Sequence, residues 1–158
     1  MSRRGNDKQT TVQPDPVYKN KLVAKLINRS MRDGKKSVAE KEIYGAFEII
    51  LKKVGDPIKV FTEAMEKVKP NMEVRPRRIG GAAYQVPISV RGPRKDSLAI
   101  RWIIAAARGR ANSEYHTFAE KMAQELIDAS NGEGAAVKKR TEMEKIAEAN
   151  RAFAHFKW

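Results

Sequence analysis

Arg75, Arg77, Arg78, Arg91 and Arg94 lie within twenty residues of one another, on either side of the pair Gly80-Gly81. Between residues 73 and 95 the only acid is Glu73. An arginine fork binds phosphate through two N–H groups and stacks flat on a base. Five of them around one turn are hard to explain by stability and point to contact with nucleic acid. A second set, Lys21, Lys25, Arg29 and Arg32, recurs at intervals of four, four and three. On a helix these side chains form one stripe, where like charges repel each other. An external anion would relieve that repulsion. Arg94, Arg101 and Arg108 are seven apart and line one side of a further helix, preceded by the basic turn RGPRK with Lys95. Arg3 and Arg4 add charge at the N-terminus.

The total agrees with these local signals. The 158 residues carry 32 Lys and Arg against 19 Asp and Glu, for a formal net charge of +13. A field of that strength attracts polyanions, nucleic acid first and anionic membrane second. The excess is not spread evenly. Residues 1–36 are net +7 and residues 67–110 net +9, whereas 37–66 are −2 and 111–158 are −1. If the two basic segments meet in the fold, they make one cationic face.

Catalysis has little material. There is no cysteine, which excludes disulfides and thiol chemistry. The two histidines, His116 and His155, have no carboxylate cluster at metal-ligand spacing, so neither a metal nor a catalytic group is assigned. The string DGKKS shares its letters with the end of a phosphate-binding P-loop. The pattern fails, because Arg29 stands where a glycine is required and Lys36 where a serine should follow Lys35. No cofactor, small-molecule substrate or membrane span is expected, since no run approaches the ~18 apolar residues that a span needs. The opening residues have no apolar core of a secretory leader.

The elements that must position the cations are mainly helical. Residues 1–16, with Pro14 and Pro16, read as an extended basic arm. Residues 17–158 read as a single helical domain of about six helices, with a two-stranded β-hairpin at about 72–91 protruding between the third and fourth. The first helix spans 17–33, with Tyr18, Leu22, Leu26 and Ile27 on its buried face. Ser37 and Glu40 have capping-box spacing for the second, which buries Val38, Ile43, Phe47, Ile50, Leu51 and Val54. Asp56-Pro57 start the third, and Ile58, Phe61, Met65 and Val68 face inward. In the hairpin Tyr84, Val86, Ile88 and Val90 share one face and Gly80-Gly81 form the turn. Pro76 and Pro87 suit a ribbon, all of whose strands are edges. The fourth helix is DSLAIRWIIAAARGR, with Ala99, Ile103 and Ala106 opposite its arginines and Trp102 packed in the core. The fifth starts at Ser113 or Thr117 and ends at Asn131-Gly132, and the sixth runs from about Gly134 to Ala149. Tyr84 has two open readings, stacking on a base or packing on the hairpin. The closing aromatics Phe153, Phe156 and Trp158 either dock back onto the domain or touch a neighbour.

An irregular basic surface with an arm and a ribbon suits folded RNA, whose loops and junctions are recognised by shape. The rival is a helix-turn-helix on DNA, but the second helix carries Glu40, Glu42 and Glu48 where a groove reader would want donors.

The strings LVAKLINRSMRDGKKSVAEKEIYGA, VRPRRIGGAAYQVPISV, LAIRWIIAAAR, GEGAAVKKR and AEANRAFAHFKW occur in order between about Pro14 and Trp158. Together they resemble the bacterial-type family of small-subunit ribosomal protein seven. The resemblance implies a helical domain with a protruding ribbon and a structural, non-enzymatic role in the cytoplasmic ribosome. It implies direct binding to the 3′ major domain of small-subunit ribosomal RNA and nucleation of head assembly. It implies that the hairpin tip, with Gly80, Gly81 and Tyr84, lies near messenger RNA and exit-site transfer RNA. The C-terminal region, with Phe153, Phe156 and Trp158, approaches ribosomal protein eleven, and some members also bind the messenger of their own operon. By the same likeness Lys35, Lys36, Arg77, Arg78 and Arg101 contact RNA.

Overall fold

Asn20 and Met31 bracket a first helix shorter than its periodicity suggests. In a computed structural model of the chain, which describes residues 12–156, α1 spans Lys21–Ser30. The Asn20 side chain caps it by accepting the Leu22 N–H at 2.8 Å. Lys19 just before has φ +51°, which no helix continues. The residues preceding it are anchored at Asp15, which is buried. One Asp15 oxygen accepts the N–H groups of Val17 and Tyr18, and the other accepts the Tyr44 hydroxyl at 2.7 Å. Burial and that bond push the Tyr44 hydroxyl well above its ordinary pKa. Asp33 and Gly34, both at positive φ, then turn the chain into α2, Lys36–Lys53.

α2 corrects two expectations. It begins one residue before Ser37, with Lys35 in the cap position and no side-chain capping bond, so Ser37 and Glu40 form no capping box. Glu40 instead lies 3.6 Å from Lys36. The buried row is Ala39, Ile43, Ala46, Phe47 and Ile50. Val38 and Leu51 each sit one residue off that row, about 100° around the helix. They are exposed, as is Val54 just past the last turn.

α3, Pro57–Val68, is capped by Asp56, whose side chain accepts the N–H groups of Ile58 and Lys59. The ribbon follows as β1, Met72–Ile79, and β2, Ala82–Ser89, paired antiparallel from Met72↔Ser89 to Ile79↔Ala82. Gly80 and Gly81 turn it at φ +57° and +89°, where a side chain would be strained. The ribbon rests on α6 and, through β2, on the closing 3₁₀ segment. α4, Gly92–Gly109, starts earlier than expected. The stretch RGPRK is not a separate turn, because Pro93 in the first turn presets helical φ and lacks an N–H that would go unpaired there anyway.

α5, Phe118–Asn131, is the central helix and packs on α2, α3, α4 and α6. Of the two starts the sequence allows, Thr117 is used, in a full capping box with Glu120. The N–H groups of Thr117 and His116 hold the Glu120 carboxyl below its usual range. Met122, Ala123, Leu126 and Ala129 meet Phe47, Phe61, Ile43, Ile103 and Leu26 in one core. Trp102 packs partly buried against that core. α6, Gly134–Ala149, and a 3₁₀ segment, Arg151–Phe156, complete the described chain, which is mainly helical with one protruding hairpin.

The α5–α6 joint holds charges that local patterning does not show. Glu125 is fully buried. Its Oε2 accepts Arg110 Nε at 2.9 Å, its Oε1 accepts the Ala136 N–H at 3.0 Å, and Arg110 also binds Asp128. Burial alone would lower the Arg110 pKa, but its bonds to Asp128 and Glu125 prevail and raise it. Buried Lys121 donates to the Arg110 carbonyl at 2.7 Å and to Asn112. Gly134 passes at φ +90°, and a Cβ there would stand 3.0 Å from Glu125 Oε1. Gly134→Ala is therefore expected to cost about 1–3 kcal/mol. Equilibrium urea unfolding checks this, and an unchanged midpoint would refute it.

Candidate nucleic-acid interface

Lys21, Lys25 and Arg29 form the stripe on α1, with α4 beside it, whereas Arg32, the expected fourth member, lies past the Ser30 end of the helix. Val23, Leu26 and Ile27 bury one side of α1, which leaves Lys21 and Arg29 exposed on the other. On α4, Leu98, Ala99, Ile100, Ile103, Ile104 and Ala107 are buried, which leaves Arg101 and Arg108 outward. The two faces share a groove of about 220 Å³ lined by Arg29, Arg101, Arg108, Ile104 and Ala105. A second groove, of about 310 Å³, has Lys25 and Arg29 facing Pro93 and Ser97. Two segments some seventy residues apart in sequence thus bring their cations onto one surface.

The charges there are poorly neutralised from within. Among the described residues Arg29, Arg32 and Arg101 have no acidic partner. Arg108 donates from Nη2 to the Ser30 carbonyl at 2.8 Å and stands 5.9 Å from the Phe118 ring centre. Partial burial and the nearby Arg32 charge lower its pKa. Lys35 and Lys36 are exposed where α2 begins, Lys36 beside Glu40. Lys25 is 3.7 Å from Asp96, which also holds Lys69 at 3.0 Å.

At the ribbon root the geometry assigns a structural task to two of the five clustered arginines. Glu73 is buried. It accepts Arg75 Nε at 2.6 Å and, with both oxygens, Arg94 Nε at 2.9 and 2.8 Å. One carboxylate thereby ties β1 to the first turn of α4. Both arginine side chains stay about half exposed, 47% and 48%. Lys95 donates to Asn71 at 2.8 Å beside them, and Arg91 is exposed in the cap position of α4. Arg78 is exposed and Arg77 half-buried, four or five strand residues beyond Glu73. At ~3.3 Å per residue that places them roughly 13–17 Å out along the ribbon. The α4 turn that carries Arg94 also carries Asp96, the partner of Lys25, so the α1 stripe and the ribbon root share one end of α4.

Tyr84 lies near the tip, in the third residue pair from the Gly80-Gly81 turn. It is paired with Arg77, and its ring lies 5.2 Å from Phe153 and 5.7 Å from Phe156. The Tyr84 ring packs on the closing 3₁₀ segment, and Phe153 and Phe156 thereby dock back onto the ribbon. Arg3, Arg4 and Trp158 lie outside the described residues. The cluster of Arg110, Glu125, Asp128 and Lys121 escaped the sequence reading, as its pairs stand 11 to 18 positions apart, farther than one helical turn. The Glu73–Arg94 tie, 21 positions long, escaped for the same reason. In α2, Glu42 is turned inward to the Ala119 N–H at 2.9 Å, so this helix is not free to lie in a DNA groove by that face. Among the described residues no cluster of three His, Asp or Glu could hold a metal, and no helix is long and apolar enough to cross a membrane.

Comparison with known proteins gives a consistent picture. A model of the family described as ribosomal protein S7p/S5e matches residues 2–151. Small ribosomal subunit protein uS7 of Carboxydothermus hydrogenoformans is 57% identical, covering 100% of both chains. The proteins of the same name from Thermodesulfovibrio yellowstonii and Thermotoga maritima are 56% and 54% identical, also over the whole of both chains.

Proposed function

The chain belongs to the ribosomal protein S7p/S5e family, and from that premise we propose how its basic face and ribbon act. It is a structural protein of the small ribosomal subunit in the cytoplasm, with an rRNA-binding role and no enzymatic one. The surface where α1 and α4 meet binds the 3′ major domain of the small-subunit RNA and so nucleates assembly of the head. The ribbon, with Gly80-Gly81 at its tip, lies near messenger RNA and exit-site transfer RNA. The closing aromatic segment lies toward ribosomal protein eleven. The same basic face binds the messenger of the protein's own operon.

The convergence of Arg29, Arg101 and Arg108 on one groove, with Arg32 beside Arg108, carries this reading. Cations that only decorate a surface have no reason to crowd without acids. Cations that meet a phosphate backbone release its counterions, and shape then selects the RNA junction. The exposed arginines of the ribbon extend the same logic outward from the root that Glu73 holds in place.

Sucrose-gradient fractionation of a lysate tests the assignment at low and high salt. The protein is expected with the small subunit at low salt, and sedimentation as a free protein at both would reject it. For the ribbon, Arg77→Ala with Arg78→Ala is expected to weaken binding to a head-domain RNA fragment roughly tenfold and to reduce the salt slope by about one to two. Helix content by circular dichroism stays unchanged. Undiminished affinity at fixed salt would remove the ribbon from the RNA contact.

A further inference from the structure

Between the Asp33–Gly34 turn and the start of α5 lies a cavity of about 440 Å³. Small-molecule sites span roughly 300–1,000 Å³, so it is large enough for one nucleotide. Its lining sets the cations Arg32, Lys35, Arg108 and Lys121 and the acids Asp33 and Glu42 beside the apolar side chains of Val38 and Phe118. Val38 is 55% exposed, an aliphatic side chain that the core of α2 does not use. Arg108 is fixed as a wall by its bond to the Ser30 carbonyl and by its place beside the Phe118 ring. Asn112, also in the lining, accepts Lys121 on its side-chain oxygen, which leaves the amide NH₂ free to donate. Asp33 offers acceptor oxygens in the same lining.

We propose that this cavity takes a single unpaired nucleotide of the bound RNA, with the base on Val38 and Phe118 and the phosphate on Arg32 and Lys35. The inference rests on the RNA-binding reading and deepens it. A helical backbone alone would satisfy the cations but would leave Val38 and Phe118 wet and the Asn112 and Asp33 groups unpaired. A splayed base supplies a flat apolar face for Val38 and Phe118, an edge of donors and acceptors for Asn112 and Asp33, and a phosphate for Arg32 and Lys35. The mutual repulsion of Arg32 and Arg108 is relieved by that phosphate.

The test uses the full chain and a head-domain fragment of small-subunit RNA. Each unpaired nucleotide of the fragment is replaced in turn by an abasic residue. At one position, loss of the base is expected to weaken wild-type binding by about tenfold or more. Val38→Trp fills the cavity from an exposed site. It is expected to weaken intact RNA by a similar factor, to abolish the difference at that position and to keep the salt slope. A 2-aminopurine at the same position gives a second readout on wild-type protein, as it becomes shielded from acrylamide quenching on binding. If no abasic position responds, or if the response survives in Val38→Trp while 2-aminopurine stays open to acrylamide, the cavity holds no base, although RNA binding itself stands. If none of the RNAs binds in a salt-dependent way, the RNA reading fails and this inference falls with it.

Discussion

Arg110→Ala is expected to destabilise the protein by about 3–5 kcal/mol, the cost of breaking a buried ion pair from one side. The Arg110 side chain is 18% exposed and Glu125 only 1%. Arg110 holds Glu125 at 2.6 Å through Nη2 and binds Asp128 as well. Without the guanidinium, Glu125 keeps one backbone donor, the Ala136 N–H, and stays in the interior as a charge without a counter-ion. The penalty comes from that stranded carboxylate, because truncating a half-exposed arginine elsewhere costs far less. In a chain of 158 residues the midpoint of thermal unfolding should fall on the order of 10 °C. The double variant Arg110→Ala, Glu125→Gln should recover part of the loss, since a neutral amide no longer needs the cation. A midpoint within about 3 °C of wild type in the single variant would show that the end of α4 is not locked to α5 through this charge.

The second large effect concerns RNA. If the protein meets about 6–10 phosphates, its affinity for a head-domain RNA fragment should fall by about 10³–10⁵ between roughly 50 and 200 mM salt, by analogy with duplex DNA. The slope also identifies the face. Arg29 and Arg101 line one groove and have no acidic partner among the described residues, so removing both should cost no internal contact. Arg29→Ala with Arg101→Ala is expected to lower the logarithmic salt slope by about 1.4–1.8 and leave the unfolding midpoint near wild type. Lys52→Ala with Lys53→Ala is the control. These lysines end α2, about 25 Å along the helix from Lys36 at its start. They should leave the slope unaltered. Equal losses from both pairs would mean that the net charge of +13 acts diffusely and that the α1–α4 groove has no special standing.

Much of the framework is written in short spans of the chain. Asp56-Pro57 opens α3, Thr117 with Glu120 opens α5, Gly132 closes it in a left-handed conformation, and Gly80-Gly81 turns the ribbon. Each of these acts within one helical turn or one β-turn, so residue types four or fewer positions apart suffice to read them. The same holds for the cationic spacing on α1 and α4 and for the hydrophobic periods of the core. Local reading failed where two local options were close in energy. Ser37 with Glu40 offered a capping box, yet α2 starts at Lys36 and Glu40 turns to it. RGPRK looked like a turn, yet Pro93 suits a first helical turn equally well.

Length, charge blocks, periodicity and turn chemistry thus establish a mainly helical chain with a basic ribbon, because each rests on contacts between near neighbours in the chain. Which cations stay free for RNA depends on packing. Arg75 and Arg94 are drawn to Glu73, Arg110 to Glu125 and Asp128, and Tyr84 to Phe153 and Phe156, while Arg29 and Arg101 are left facing outward together. A buried carboxylate must take whichever cation the assembled helices bring within reach, and that choice is made across distances in the chain that no residue spacing encodes.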